Sequence, residues 1–399
     1  MSRLVDEAHS RSVDLLSAAG TEHGFVASPS FDHYAVVWAR DALIASLGAL
    51  ATGETSLVAS ATATLDTLAA HASDLGQIPA VVSATRAQWD FGEGGAVDPS
   101  AWFPIVADAH LEATGDRASA RRWWPVVAQS ISWLRHQDVT GSGLISAAPA
   151  TDWMDAALTR SGRTLHLNVL YAAAEAAADR LAQGLERPHL ERDLHGTVDR
   201  WFWPVPGVDA GSLYPHGFAH DATRIAYWEA AIPGRRHYIS HIVHAAFIDR
   251  CDVLANLLAI RFDIADQPKS ETILDFLAEA ADPHPSRTFP DPIAGSDGSG
   301  MLISVAEAVI PERWRNRPGT YHNGAAWPYV GGFHAEALAR RGRIEQAWEV
   351  LERLASTNRL DDWSFPEWVD AEGTPQGARL QTWNAATFLL GYEAARAGS

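Results

Sequence analysis

Residues 43–50 read Leu43-Ile44-Ala45-Ser46-Leu47-Gly48-Ala49-Leu50, the chain breaks at Ala51-Thr52-Gly53-Glu54, and the same style resumes from Ala61 to Ala72. Leu43, Leu47 and Leu50 recur at i, i+4 and i+7, one face of a helix. Gly53 stands where a helix would end, because glycine takes the left-handed conformation after a helix at little cost. The stretch predicts a helical hairpin.

The unit recurs along the chain. Ala- and Leu-rich stretches at 105–113, 126–135, 167–182, 252–265, 333–340, 344–355 and 384–397 carry the same periodicity. Breaks follow at Ala113-Thr114-Gly115-Asp116, Ala182-Gln183-Gly184, Asp263-Ile264-Ala265-Asp266 and Arg341-Gly342-Arg343, and the last helix frays at Ala397-Gly398. A repeated hairpin means a stacked or closed helical array. Six hairpins make twelve helices, which fits an all-α (α/α)6 toroid, with an inner barrel and long loops forming a pocket at one end. The alternative is an open helical solenoid, but here the intervening segments are long and rich in Trp, Gly and Pro, and long ordered loops on a compact scaffold usually serve function. Segments 200–240 and 282–300 read as loops rather than linkers, so residues 1–399 are expected to form a single domain.

Apolar residues make up 47% of the 399, enough for a large core. The net charge of −18 leaves no basic patch to neutralise phosphates and argues against a nucleic-acid partner. Cys251 is the single cysteine, so no disulfide can form within the chain. The first residues carry Asp6 and Glu7 where a leader would be apolar, and no apolar run reaches the ~18–20 residues that span a bilayer. A cytoplasmic protein without a membrane partner is expected; oligomeric state is not legible.

Sixteen tryptophans are many for such a chain. Trp133 and Trp348 fall on helical patterns and read as core. Trp38, Trp89, Trp102, Trp153, Trp327, Trp363, Trp368 and Trp383 fall in loop-like segments beside acids and amides. Indole packs in cores or against flat apolar ligand faces, and its clustering with polar groups favours a ligand groove.

Five segments could carry chemistry. Trp38-Ala39-Arg40-Asp41 opens a helix, where Asp41 could cap the helix or, with Arg40, bind sugar hydroxyls. Gln88-Trp89-Asp90-Phe91-Gly92-Glu93 and Val97-Asp98-Pro99-Ser100-Ala101-Trp102 put acids on an aromatic surface; Asp98 before Pro99 reads equally as a helix cap. Thr151-Asp152-Trp153-Met154-Asp155 holds two acids. Asp155, with Trp153 two residues away and Met154 adjacent, has its charged form disfavoured, as a general acid needs; Asp152 is its rival and reads instead as a cap of the following turn. Tyr321-His322-Asn323-Gly324-Ala325-Ala326-Trp327-Pro328 mixes donors, acceptors and aromatic faces. Ser364-Phe365-Pro366-Glu367-Trp368-Val369-Asp370, followed by Gln381-Thr382-Trp383, places Glu367 after a proline and outside regular helix. His237, His241 and His244 share a face if their segment is helical, a weak zinc pattern. No nucleotide, flavin or phosphate-loop fingerprint is present.

At the five segments the chain resembles the (α/α)6 inverting glycosidases: the glucosidase domain of glycogen-debranching enzymes, the neutral invertases, and the processing-glucosidase and mannosylglycerate hydrolase group. The resemblance runs from about residue 35 to 395. Trp38 to Ile44, Val97 to Phe103 and Trp153-Met154-Asp155-Ala156 are similar to debranching-enzyme segments, and the last selects Asp155 over Asp152 as general acid. Asp90-Phe91-Gly92-Glu93 looks like the invertases. His322-Asn323-Gly324 with Trp327-Pro328 is shared by both groups. Pro366-Glu367 with Asp370, Gln381 and Trp383 resembles the invertase segment that carries the general base. The departures are Phe365, Trp368 and Val369 in that motif, Ala156-Ala157 where invertases have a double arginine, and the missing large N-terminal domain of debranching enzymes.

The resemblance implies an inverting, exo-acting glycoside hydrolase of a small α-glycoside, with Asp155 as acid and Glu367 as base. It implies that Trp38, Arg40, Asp41, Trp89, Asp90, Asp98, Trp102, Trp153, His322, Asn323, Trp327, Trp368, Gln381 and Trp383 bind a small saccharide. No metal or cofactor is implied. Sucrose or a glycosylglycerate are alternative substrates, and a non-catalytic carbohydrate-binding toroid is the alternative class.

Overall fold

The computed structural model describes residues 2–30, 33–83, 88–90, 96–149, 151–154, 158–188, 192–214, 220–243, 246–280, 286–290, 302–303, 316 and 318–399, with only the backbone at 88–90, 158–159, 280 and 302–303. The described helices are α1 (Arg3–Ala19), α2 (Ala39–Thr52), α3 (Thr55–Ala70), α4 (Asp98–Thr114), α5 (Arg117–Arg135), α6 (Leu165–Leu185), α7 (His195–Phe202), α8 (Asp221–Ala230), α9 (Val253–Arg261), α10 (Gln267–Ala280), α11 (Pro328–Arg340), α12 (Ile344–Asn358) and α13 (Thr382–Ala397). A short turn at Leu360–Trp363 precedes α13.

Six helices close a ring in the order α2, α4, α6, α9, α11, α13 and back to α2. Outside it, α3, α5, α7, α10 and α12 each pack on the inner helix before them, and α1 packs on α13 to complete the outer layer. This is the (α/α)6 toroid. Inner helices are buried nearly all round: α2 buries Ala39 and every residue from Asp41 to Leu50. Outer helices bury one stripe, as Ala347, Val350, Leu351, Leu354 and Ala355 do in α12.

Where α2, α11 and α13 cross, glycine is needed. A Cβ on Gly48 would stand 2.3 Å from the Ala386 carbonyl, and one on Gly332 would stand 2.4 Å from the Thr387 backbone. The absent side chains let these helices touch backbone to backbone.

The hairpin breaks hold with one shift. Gly53 and Gly115 take the left-handed conformation after α2 and α4, and Asp263 and Gly342 do so in their turns. Gly184, read as a break, lies inside α6; the left-handed residue is Glu186, whose N–H reaches the Ala182 and Gln183 carbonyls. Segment 200–240 is not all loop: Trp201 and Phe202 end α7, and α8 follows. The three histidines do not share a helix face. His241 begins strand His241–Val243, paired antiparallel with Arg163–Thr164 on one side and Ala246–Ile248 on the other, and His244 lies outside the described residues. Trp133 and Trp348 are half-buried against the core.

Small antiparallel ribbons decorate the ring. Val37–Trp38, Val81–Ser83 and Gln88–Asp90 form one three-stranded sheet, with Val82 opposite Trp89. Trp368–Val369 pairs with Pro375–Gln376. Among the described residues no helix is long and apolar enough to cross a membrane.

Candidate active site

The inner helices begin at one end of the ring, and side chains from all six N-termini meet there. Arg40, in the first turn of α2, donates to both Asp98 oxygens across to α4, from Nε at 2.5 Å and from an amino nitrogen at 3.0 Å. His166, second residue of α6, sets its Nε2 3.9 Å from Asp98. Tyr329, second residue of α11, has its phenol pushed well above the usual tyrosine value, first by burial. Its hydroxyl also feels Arg40, Asp252, Asp98 and Asp41, which ties α9 into the cluster. Trp383, second residue of α13, stacks on Tyr329 at 4.1 Å with the rings 9° apart. Helix N-termini carry partial positive charge and unpaired N–H groups, so this end is suited to acids and to oxygen-rich ligands.

Asp98 does not cap α4. It is the first helical residue, and the capping position belongs to Val97, which makes no side-chain bond. Burial alone would raise the Asp98 pKa. The Arg40 charge and the Arg40 and His166 contacts overturn that and bring it down to about 2. Asp98 is therefore an ionised carboxylate held in a fixed direction.

Glu367 lies between two clamped segments. Phe365 N–H donates to Asn358 O at the end of α12, Gln381 N–H donates to Phe365 O, and Asn384 Nδ2 donates to Pro366 O at 2.7 Å. Glu367 is half-buried, and its Oε2 accepts from Ala378 N–H at 2.9 Å. A Cβ on Gly377 would stand 2.2 Å from that oxygen, so the glutamate fits because residue 377 has no side chain. Asp370 is a turn residue: its carboxylate accepts from the Glu372 and Thr374 N–H groups and the Gln376 amide. Of the eight non-glycine residues with positive φ among the described residues, Asp361, Asp362, Trp363, Phe365 and Leu380 flank this segment and Tyr321 precedes His322. Strained backbone persists where surrounding structure over-determines it, and it clusters at functional sites.

The tryptophans separate into two groups. Trp38 and Trp368 are half-exposed; Trp38 caps α2 positionally and donates Nε1 to His33 O, and Trp368 meets Tyr321 edge-on at 5.8 Å. Trp153, Trp327 and Trp383 are buried in an aromatic floor. His322 stacks on Trp327 at 4.9 Å, and Trp153 stands edge-on to both. Asn323 is buried beside His322 and donates to Asn316 O. Trp102 lies deeper, within the ring against Phe262 and Phe333, a core position. Trp89 and Asp90 lie on a described strand whose side chains are outside the described set, and Asp155 lies outside the described residues.

Buried polar atoms without a hydrogen-bond partner among the described residues gather at this end: Trp153 Nε1, both His166 ring nitrogens, Tyr329 Oη, both Gln381 amide atoms and Trp383 Nε1. Buried polar groups are normally satisfied, and a cluster of exceptions calls for a functional reason, such as a polar ligand that they would meet. His166, Tyr329, Arg160 and Asp252 were not singled out from sequence. His166 and Asp252 had a local signal, since Thr164 and Asp252 are N-caps whose oxygens accept from Leu167 and Ala255 N–H.

The toroidal fold is shared with solved structures of glycosidases. Among solved structures the chain is similar to the GH63 mannosylglycerate hydrolase from Thermus thermophilus in complex with Tris and D-glycerate, with a TM-score of 0.65, 15% identity and coverage of 96% of this chain and 99% of that one. It is also similar to the GH78 family rhamnosidase of Bacillus sp. GL1, with a TM-score of 0.62, 19% identity and coverage of 97% of this chain and 34% of that one. In sequence it is 32% identical over 164 residues to alkaline/neutral invertase E, chloroplastic, of Arabidopsis thaliana, covering 40% of this chain and 26% of that protein. It is 25% identical over 343 residues to neutral/alkaline invertase 1, mitochondrial, of Oryza sativa subsp. japonica, covering 75% of this chain and 52% of that protein. The chain thus spans about half or less of the invertases it matches. No family profile matches it.

Proposed function

We propose that this chain is an inverting, exo-acting glycoside hydrolase of a small α-glycoside, formed as one catalytic domain. The observation that carries the reading is the convergence of six inner-helix N-termini on buried polar atoms without partners, beside a half-buried Glu367 held on a strained, clamped segment. The invertase similarity and the glycosidase fold support it.

In this reading Glu367 deprotonates a water on one face of the sugar while Asp155 protonates the glycosidic oxygen on the other. Atoms balance: water oxygen bonds the anomeric carbon, the C–O bond breaks, one proton passes to Glu367 and one leaves Asp155. Inversion requires room for the water, so the two carboxyl groups are expected about 6.5–9.5 Å apart. Asp98, fixed by Arg40, accepts from sugar hydroxyls, with Asp41, His322, Asn323 and Gln381 as further polar contacts. Trp38 and Trp368 offer ring faces, while Trp153, Trp327 and Trp383 keep water out from below. Trp89 and Asp90 belong to the same rim. Trp102 holds the core.

Incubation with sucrose, trehalose, isomaltose, maltose, mannosylglycerate and glucosylglycerate tests the reading. Release of free sugar from one of them is expected, and proton NMR should show the first product with the anomer opposite to the linkage. Retained configuration, or binding without release, would overturn it; the latter is the outcome for a non-catalytic toroid. The invertase similarity favours sucrose as the first substrate tried. A cytoplasmic location belongs to the same reading and is tested by cell fractionation.

A further inference from the structure

The ends of the inner helices surround a cavity of about 570 Å³ on the side of the ring opposite the candidate active site. Asp108 and Glu112 stand one turn apart on α4 and face this space, with Arg180 on α6. Arg261 and Arg340, the last residues of α9 and α11, complete its charged wall with Asp263. Phe262, half-buried just beyond α9, adds an aromatic surface. A space of this size takes a small molecule rather than a lone ion.

Helix polarity accounts for the terminal arginines, since a cation in the last turn is favourable. It does not account for the acids. The C-terminal half of a helix opposes negative charge, and like charges at i and i+4 repel each other. Burial first, and the charge of Glu112 with it, push the Asp108 pKa up to about 6 against the pull of Arg180. A carboxyl well supplied with donors would fall instead. Both Arg180 contacts go to one oxygen: Nε donates to Oδ2 at 2.8 Å, and an amino group lies 2.7 Å from the same atom. Among the described residues, Asp108 Oδ1 has no partner, and Glu112 has neither an ion pair nor a hydrogen bond.

On the other wall, Arg261 is tied to Glu336. Arg340 is not tied in this way. It makes no hydrogen bond among the described residues, and its nearest acids, Asp263 and Glu336, are 4.0 Å away. Free acceptors on α4 thus share a cavity with a free donor at the end of α11. The described wall carries three acids and three arginines, so a net charge of either sign on the ligand brings no advantage. Sugar hydroxyls donate and accept at once, which suits a wall that offers both, and the apolar face of a sugar ring packs on an aromatic surface.

We infer that this cavity is a second, non-catalytic site for a small neutral saccharide, with Asp108 and Glu112 accepting from its hydroxyls and Arg340 donating to them. The inference does not depend on the hydrolase reading.

Methyl NMR of the full chain tests it. Ile105 lines the cavity, whereas Ile242 lies on the strand paired with Arg163–Thr164, just before the start of α6 at the other end of the ring. The two methyl signals therefore report the two ends separately. Glucose, mannose and fructose serve as probes because they have no glycosidic bond to be cleaved. At least one should move the Ile105 signal along a saturable curve. Glu112→Ala and Arg340→Ala should each raise the Kd read from that curve about 10-fold, the loss of one hydrogen bond to a charged group. Both side chains are exposed, so the melting temperature should stay near that of the parent. A linear Ile105 shift, no shift, or a Kd unchanged in both variants would overturn the inference. So would an Ile105 response to inorganic phosphate or L-lysine but to none of the sugars, which would make this an ion site. A sugar-dependent shift at Ile242 with none at Ile105 would leave the proposed function standing and remove this inference alone.

Discussion

Asp98 and Asp108 lie on the same helix and face opposite fates. Both are buried, and both meet an arginine. Asp98 opens α4 and falls to about 2; Asp108, near its far end, rises to about 6. Burial is the largest influence on each and pushes both upward. The difference is in the countercharge. Arg40 is mostly buried and grips both oxygens of Asp98, with His166 beside it. Arg180 is mostly exposed, so water screens its hold on Asp108, and Glu112 one turn on adds repulsion. Helix polarity works the same way, favouring a negative charge at the N-terminus and opposing one near the C-terminus. Asp108 lines a cavity of about 570 Å³ at that opposite end, with Leu47, Ile105, Arg180, Arg261 and Arg340. The comparison teaches that burial does not assign a carboxylate its role; the fixed charge around it does.

The comparison can be broken at several points. The largest effect is expected at the proposed acid and base: Asp155→Asn and Glu367→Gln should each lower kcat by about 10³-fold or more while leaving the melting temperature near that of the parent. Near-normal turnover in either variant removes the role given to that residue. Next comes Asp98→Ala, which leaves Arg40 largely buried without its carboxylate and should cost about 3–5 kcal/mol in urea unfolding. A cost below about 1 kcal/mol would mean that water already reaches the pair.

Gly377→Ala tests the clamp on Glu367. The residue has φ +75°, and the added Cβ would overlap the carboxylate. A loss of at least ~10-fold in kcat is expected with a modest stability cost of about 1 kcal/mol from the left-handed backbone; unchanged kcat would show that Glu367 can move without consequence.

An effect of opposite sign, confined to neutral and alkaline pH, is expected at Asp108. Its folded pKa of about 6 exceeds the usual 3.8, so the folded state holds the proton more tightly between those values. Stability contributed by the protonated form is complete below about pH 3.8 and is lost as pH rises through 6. Asp108→Asn removes that loss. It should stabilise the fold by roughly 1–3 kcal/mol at pH 8, with the gain vanishing near pH 4. Parallel thermal melts at the two pH values check this, and a gain independent of pH would show that the carboxyl is not raised.

Much of the fold was legible because helix ends are local events. Gly53, Gly115 and Gly342 mark turns through a backbone conformation that few other residues adopt cheaply. Gly184 misled by two residues because Glu186 accepts the left-handed conformation when its N–H can reach back to the Ala182 and Gln183 carbonyls. Segment 200–240 misled because proline and glycine at 204–207 hide the end of one helix and the approach to another. His237, His241 and His244 have a helical spacing, yet ladder bonds from Arg163–Thr164 and Ala246–Ile248 hold His241 in a strand. Pairing across the chain outweighed a weak local period.

The sequence by itself determined the hairpins, their number, and the order of five polar-aromatic segments, since each is written in neighbouring residues. Tertiary structure alone decided which polar groups serve one another. Asp98 reads as a helix cap until Arg40 is seen across 58 positions. Trp153 reads like Trp38 until its neighbours bury one and leave the other half-exposed. Arg160 carries no signal at all until Asp152 and Asp252 close around it. The physical reason is one of range: capping and periodicity act within a few residues, whereas burial and ion pairing are properties of a place where distant parts of the chain meet.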